Sequence, residues 1–521
     1  MTPTGARGQT TVPAQPDIDA PCRRRGRGPH WPTVGAVSSL HELTALELAR
    51  LVTGREVSPT EILDHTLTRA HALGERVGAF VAVTEGLARE QARAVEKSVL
   101  SGVSVPPLAG VPCPIKDLTM VAGQPFTMGS AAFAGTLAPV DDGVVTLLRD
   151  AGTLMVGKTT TPELGLPCYT EPDIAPAARS PWDLTRSAGG SSGGAAAAVA
   201  AHIVPVAHAS DGGGSIRIPA SVCGLVGLKP TRGRVSPGPY GVDSAGLAAT
   251  GVLTRDVRDT AALLDVLTPG WPGDLFRLAG PATTFLDACD RSPGRLRIGV
   301  LTAPVIAAGT RVDRACLDAV VATAALLTDL GHVVDEAPVP FPASRWESFE
   351  ALWSVLAATA PVTPDREHQL VAYTRWLRRH GRTFSGVQYA EAVVSVQRTT
   401  REAAAVWAPF DVIVSPTLAR LPAFVGEIRN DDDPAADFAA QIEYTPWTSI
   451  WNLTGWPAVS LPLHRVDVDG KVLPVGVMVG GRHGAEETLL ALSAQLEDAR
   501  PWRPALTALA RQPWLQVSGE Q

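Results

Sequence analysis

Between residues 78 and 499, short apolar runs rich in β-branched residues alternate with longer segments of helical periodicity. The runs are GAFVAV, GTLMVG, RIGVLT, FDVIVSPT and LPVGVMVGG; the helical segments include DGVVTLLRDAG, DRACLDAVVATAALLTDLG and EETLLALSAQLEDA. Strands that are apolar throughout must be covered on both sides, so the alternation predicts an α/β fold with helices layered over a largely buried sheet. A chain of 521 residues can bury a large core, and no internal repeat or long linker divides it.

Residues 1–36 break this pattern, being rich in Pro, Gly and Arg without apolar periodicity; they read as a disordered tail. RRRGRG at 23–28 is followed by no apolar segment, which argues against an export signal. The folded domain is expected over 37–510, with 511–521 as a C-terminal tail. Its first helix is announced by Leu40, Leu43, Leu46 and Leu51, and its second by Ser58 and Glu61 in a capping-box spacing.

Partner classes narrow quickly. A formal charge of -7 gives no electrostatic case for nucleic acid, and no apolar run approaches the roughly 18–20 residues of a membrane span. The six cysteines lack CxxC spacing, which suggests reduced thiols in a cytoplasmic protein and no zinc site. No cofactor fingerprint or metal cluster is present; a homodimer is left open.

Three segments carry candidate chemistry. In ASDGGGSIRIPAS, Ser215 follows Gly212, Gly213 and Gly214, whose N–H groups, with that of Ser215, can converge on one anionic oxygen. A helix starting at Ser215 would add its dipole. Alone, the segment is also a glycine turn whose serine caps a helix, the plainer reading. In SAGGSSGGAAAAVAAH, Ser191 and Ser192 sit where a glycine loop gives way to an Ala-rich helix; neither glycine cluster has the lysine of a phosphate loop. In LAGVPCPIKDL, Lys116 ends a short apolar run, where a lone lysine is ordinarily a surface charge.

Together, GGSSGGAAAAVAA, SDGGGSIRIPASVCGLVGLKPTRGRVS, GVPCPIKDL, NLTGWPAVSLP and LPVGVMVGG resemble the amidase signature family, serine hydrolases with a Ser–Ser–Lys triad. The resemblance runs from about residue 40 to about residue 500. It implies a large mixed β-sheet core covered by helices on both faces. It also implies an amidase acting on a small-molecule amide, with Ser215 as nucleophile, Ser191 as bridging serine after a cis bond, and Lys116 as base. Ser192 would support them, Gly212, Gly213 and Gly214 with Ser215 would supply the oxyanion hole, and Asp211 and Arg217 would form a supporting ion pair. The wording of the central motif is similar to the branch containing linear- and cyclic-amide hydrolases, the 6-aminohexanoate cyclic dimer hydrolases among them.

A lysine base must lose its proton near neutrality, well below its ordinary value of about 10.4; burial can do this, and a neighbouring carboxylate opposes it. Asp117 is therefore expected to point away from Lys116. A histidine relay through His202 or His208 with Asp211 is the rival reading of the same serine.

For the pocket, the resemblance places Cys168 and Tyr169 on the wall. Trp447 and Trp451, four apart, are candidates on one helix face, though core packing explains them as well. The stretch 342–400 fits no family motif and is expected to shape the pocket. Besides a stand-alone amidase, two readings stay open: the glutamine-hydrolysing subunit of a tRNA-dependent amidotransferase, and a catalytically silent binding protein.

Overall fold

The computed structural model describes residues 40–102, 105–242 and 245–517. The expected tail over 1–36 lies outside them. The first helix starts later than its leucines suggest. Leu40–Glu42 forms a single 3-10 turn, and Thr44 caps the helix Ala45–Thr53 in a reciprocal box with Glu47. A cap that satisfies two orphan N–H groups fixes the start more firmly than apolar spacing does. Ser58 and Glu61 make the same box on Pro59–Leu73.

Eight strands build the main sheet: β1 (Val206–Asp211), β2 (Val226–Lys229), β3 (Ala249–Thr254), β4 (Arg297–Val300), β5 (Val333–Glu336), β6 (Val412–Pro416), β7 (Ala458–Val468) and β8 (Lys471–Gly481). Their order is β5-β4-β6-β8-β7-β2-β3-β1, parallel among β5, β4 and β6 and antiparallel elsewhere, so the sheet is mixed. Side chains along a strand alternate between faces. Val412 and Val414 accordingly enter one apolar core while Ile413 enters a second; Val477 and Val479 divide from Met478 in the same way. Both faces are therefore covered.

The second core holds the aromatic residues of Glu347–Thr359, Ala372–Gly381 and Gly386–Val406, the segment without a family motif. A small three-stranded sheet, Phe80–Val83, Gly157–Thr159 and Ile115–Lys116, stands apart. Its middle strand begins only at Gly157, where the GTLMVG run ends. At the other end the chain packs beyond the expected boundary at 510: Leu515 is buried, and its carbonyl accepts from Arg69. Among the described residues no helix is long and apolar enough to cross a membrane.

Candidate active site

Lys116 ends the edge strand of the small sheet and is wholly buried. Its Nζ lies 2.8 Å from Ser191 Oγ, 3.1 Å from Ser210 Oγ and 3.4 Å from the Ser210 carbonyl. Asp117 faces elsewhere: its Oδ1 accepts from Lys158 Nζ at 2.8 Å, and its Oδ2 from the amide and hydroxyl of Thr127. Burial therefore acts on Lys116 with only the charge of Asp211 opposing it, and lowers the ammonium to about 7.

Ser191 follows a cis bond from Gly190, immediately before the helix Gly193–Ala200. The Ala-rich helix is buried along its whole length, which anchors the serine loop at one end. Ser192 Oγ donates to the Ser210 carbonyl at 3.2 Å. Ser192 and Lys116 thus meet on Ser210, a residue that sequence reasoning missed. A signal was present, since Ser210 shares the face of β1 with His208, whose Nδ1 accepts the Lys116 amide.

Ser215 lies between β1 and the helix Arg217–Cys223. That helix starts two residues later than expected and has only seven residues, so its dipole is a minor term. The loop is held by Asp211. Its Oδ1 accepts from Gly214 N at 2.8 Å and Arg217 Nη2 at 2.9 Å, and its Oδ2 from Ile216 N at 3.1 Å and Arg217 Nε at 2.9 Å. Burial would raise the Asp211 carboxyl; the charge and two-pronged bond of Arg217 outweigh it and hold it at about 2. Arg217 reaches on to the Thr448 carbonyl and Asn452 Oδ1, both at 2.8 Å.

This geometry corrects the expected oxyanion set. The Gly214 N–H is turned inward onto Asp211 and is spent there. Among the described residues the amides of Gly212, Gly213 and Ser215 have no hydrogen-bond partner. No hydrogen bond joins Ser215 Oγ to Ser191 Oγ among the described residues, so Lys116–Ser191 is the one link of the expected relay that is hydrogen-bonded.

Ser215 and Gly213 border a narrow cleft. Cys168 lines it. Tyr169 does not, since its hydroxyl is bound behind the wall to Asp437 Oδ2 at 2.6 Å. Trp447 and Trp451 are also corrected. The helix there spans only Ile450–Thr454, so Trp447 is not on it, and the Trp447 indole is fixed in the core to the Ala303 carbonyl at 2.9 Å. Trp451 stacks on Trp407 with ring centroids 5.6 Å apart and lies over Gly480, where any Cβ would fall 1.9 Å from its ring.

The aromatic wall comes instead from Trp346, Phe349, Trp353, Tyr373 and Phe438. Phe349 and Trp353 press onto the glycine loop: a Cβ on Gly213 would stand 3.2 Å from Phe349, and one on Gly212 3.0 Å from Trp353. Arginines of the 342–400 stretch stay out of the cleft. Arg345 pairs with Glu402, while Arg378 and Arg382 pair with Glu367.

The histidine alternative lacks the necessary contacts. His202 is bound between the carbonyls of His41 and Leu506. Burial, then the charge of Lys116, pushes His208 down to about 3, and its Nε2 has no partner in the site. Among the described residues no cluster of His, Cys, Asp and Glu could hold a metal ion.

Comparison with known proteins agrees over most of the chain. The amidase family model matches residues 61–490. The 6-aminohexanoate-cyclic-dimer hydrolase of Paenarthrobacter ureafaciens is 36% identical over 496 residues, 90% of this chain and 95% of that protein. A solved 6-aminohexanoate cyclic dimer hydrolase superposes with a TM-score of 0.82 at 34% identity, covering 91% of this chain and 99% of the other. A bacterial aryl acylamidase of the amidase signature family superposes with a TM-score of 0.81 at 26% identity, over 91% of this chain and 99% of its own.

Proposed function

The chain belongs to the amidase family and is an amide hydrolase; from that premise we propose that it cleaves a small carboxylic amide through an acyl-enzyme on Ser215, with Ser191 and Lys116 as the proton relay. The observation that carries this reading is the buried Lys116 ammonium, lowered to about 7 and 2.8 Å from Ser191 Oγ. Neutral Lys116 takes the Ser191 proton as Ser191 takes that of Ser215, whose oxygen attacks the carbonyl carbon.

The negative oxygen of the tetrahedral intermediate is met by the amides of Gly212, Gly213 and Ser215. Each well-aimed donor is worth roughly 10²–10³ in rate. Ser191 then protonates the departing nitrogen and recovers its proton from Lys116, so the C–N bond breaks with an amine as leaving group and Lys116 is neutral again. Water repeats the cycle on the ester: its proton passes through Ser191 to Lys116 and returns to Ser215 Oγ as the acid is released.

Asp211 and Arg217 shape the loop and touch no reacting atom. The apolar cleft supports a substrate with an apolar segment next to the scissile carbonyl. The reading is tested by intact mass after fluorophosphonate treatment of the wild type, Ser215→Ala and Lys116→Ala, together with a panel of aryl, alkyl and cyclic amides, 6-aminohexanoate cyclic dimer among them. One adduct on the wild type that is absent from both variants, together with turnover of an amide, is expected. An unlabelled wild type that turns over none of the amides would overturn it, and ammonia release from glutamine alone would move the reading to the amidotransferase subunit.

A further inference from the structure

The loop from Asp211 to Ile216 is held largely from within and by Asn452. Asn452 Nδ2 donates to the Asp211 carbonyl at 2.9 Å, the Asp211 carboxylate takes the amides of Gly214 and Ile216, and the Gly214 carbonyl accepts from Ile218 N at 2.7 Å. The Gly213 carbonyl is held by a side chain from a distant part of the chain: Thr448 Oγ1 donates to it at 2.7 Å.

Thr448 is wholly buried, two residues before the helix Ile450–Thr454. The Thr445 carbonyl also lies within reach of its hydroxyl, but at 3.4 Å, so the short bond to the loop is the stronger one. The Thr448 carbonyl accepts from Arg217 Nη1 at 2.8 Å, and Arg217 is gripped in turn by both oxygens of Asp211 and by Asn452. The ion pair that shapes the loop therefore also fixes the residue that reaches across to it.

The peptide between Gly213 and Gly214 is thus pinned at both ends, its oxygen by Thr448 and its N–H by Asp211. Glycine on either side leaves the backbone torsions free. Once one end is released, this plane can turn and carry with it the flanking amides of Gly213 and Ser215. Removing the Thr448 hydroxyl leaves the Gly213 carbonyl without its donor, a condition the loop relieves by turning.

We infer that Thr448 is a positioning residue of the oxyanion loop: its hydroxyl sets the plane of the Gly213–Gly214 peptide and so aims the Gly213 and Ser215 amides at the negative oxygen of the tetrahedral intermediate. This rests on the acyl-enzyme reading of Ser215. Among the described residues Thr448 is not part of the cleft lining, so its effect falls on the transition state, where the oxygen gains charge, and not on substrate binding.

The test compares Thr448→Val and Thr448→Ser with the wild type on the fastest amide of the panel and with an alkylboronic acid, whose adduct on a serine oxygen is tetrahedral and anionic. Thr448→Val should leave KM unchanged, lose about 10²-fold in kcat and bind the boronic acid more weakly by the same factor, because misaimed donors are missed only where charge develops. Thr448→Ser, which keeps the hydroxyl, should return both to near the wild-type values. Where Thr448→Val does not fold, Thr448→Ala carries the same expectations. An unchanged kcat, a loss confined to KM, unchanged boronic acid binding, or a serine variant as slow as the valine one would each overturn the inference while leaving wild-type turnover and fluorophosphonate labelling intact. A wild type that neither turns over any amide nor takes up the fluorophosphonate would overturn the acyl-enzyme reading and the inference with it.

Discussion

Asp117 follows Lys116 in the chain, yet its carboxylate is bonded at 2.8 Å to Lys158, with both side chains buried. The acid that could hold Lys116 charged is thereby engaged by another lysine. Lys158→Met strands that carboxylate. Breaking a buried pair costs about 3–5 kcal/mol, which urea unfolding will show. The freed Asp117 can then act on Lys116, and the alkaline rise in activity should move to higher pH.

In the wild type, kcat/KM should rise through about pH 7 and level off above it, because only neutral Lys116 accepts a proton and burial sets its value there. His208, pushed to about 3, contributes no limb in this range. A pH–rate profile from 5 to 10 checks the assignment, and the limb should vanish in the residual activity of Lys116→Ala.

Ser191→Ala removes the group that joins Lys116 to the nucleophile and should lower amide hydrolysis by roughly 10³. Ser210→Ala removes one of the oxygens that hold Nζ and should cost about tenfold, since the base is loosened but kept. Losing an acceptor also disfavours the ammonium, so the limb should shift to lower pH in Ser210→Ala. Single-turnover rates of both variants measure the two losses.

The three glycines should answer differently to alanine. Gly214 has φ +141°, and a Cβ there would stand 2.6 Å from Ile218 and 2.7 Å from Thr448, so Gly214→Ala should lose about 1–3 kcal/mol of stability. At Gly213 the added methyl meets only the Phe349 ring at 3.2 Å, so Gly213→Ala should fold normally and lose activity through a narrowed cleft. Thermal melts beside kcat/KM separate the two effects.

The serine, glycine and lysine segments were legible because each is a contiguous stretch whose chemistry depends on neighbours in sequence. Of the cleft, Cys168 and the 342–400 stretch were legible, but the individual aromatic residues were not, because the wall gathers Phe349, Tyr373 and Phe438 from separate helices and aromatic residues at helical spacing look the same whether they face a core or a ligand. Trp447 and Trp451 show the converse: a spacing of four implies a shared face only if the helix covers both, and this one begins at Ile450. Gly214 escaped for a further reason, since which N–H a carboxylate captures depends on the turn and not on the letters around it.

Among the described residues the cleft wall has no Lys, Arg, His, Asp or Glu side chain, and in the proposed relay the base works uncharged. A neutral amide therefore approaches without electrostatic steering, and added salt has no long-range attraction to screen. Encounter in such an enzyme is governed by how readily the aromatic mouth sheds its water, so its turnover should be indifferent to ionic strength and responsive to whatever alters the hydration of apolar surfaces.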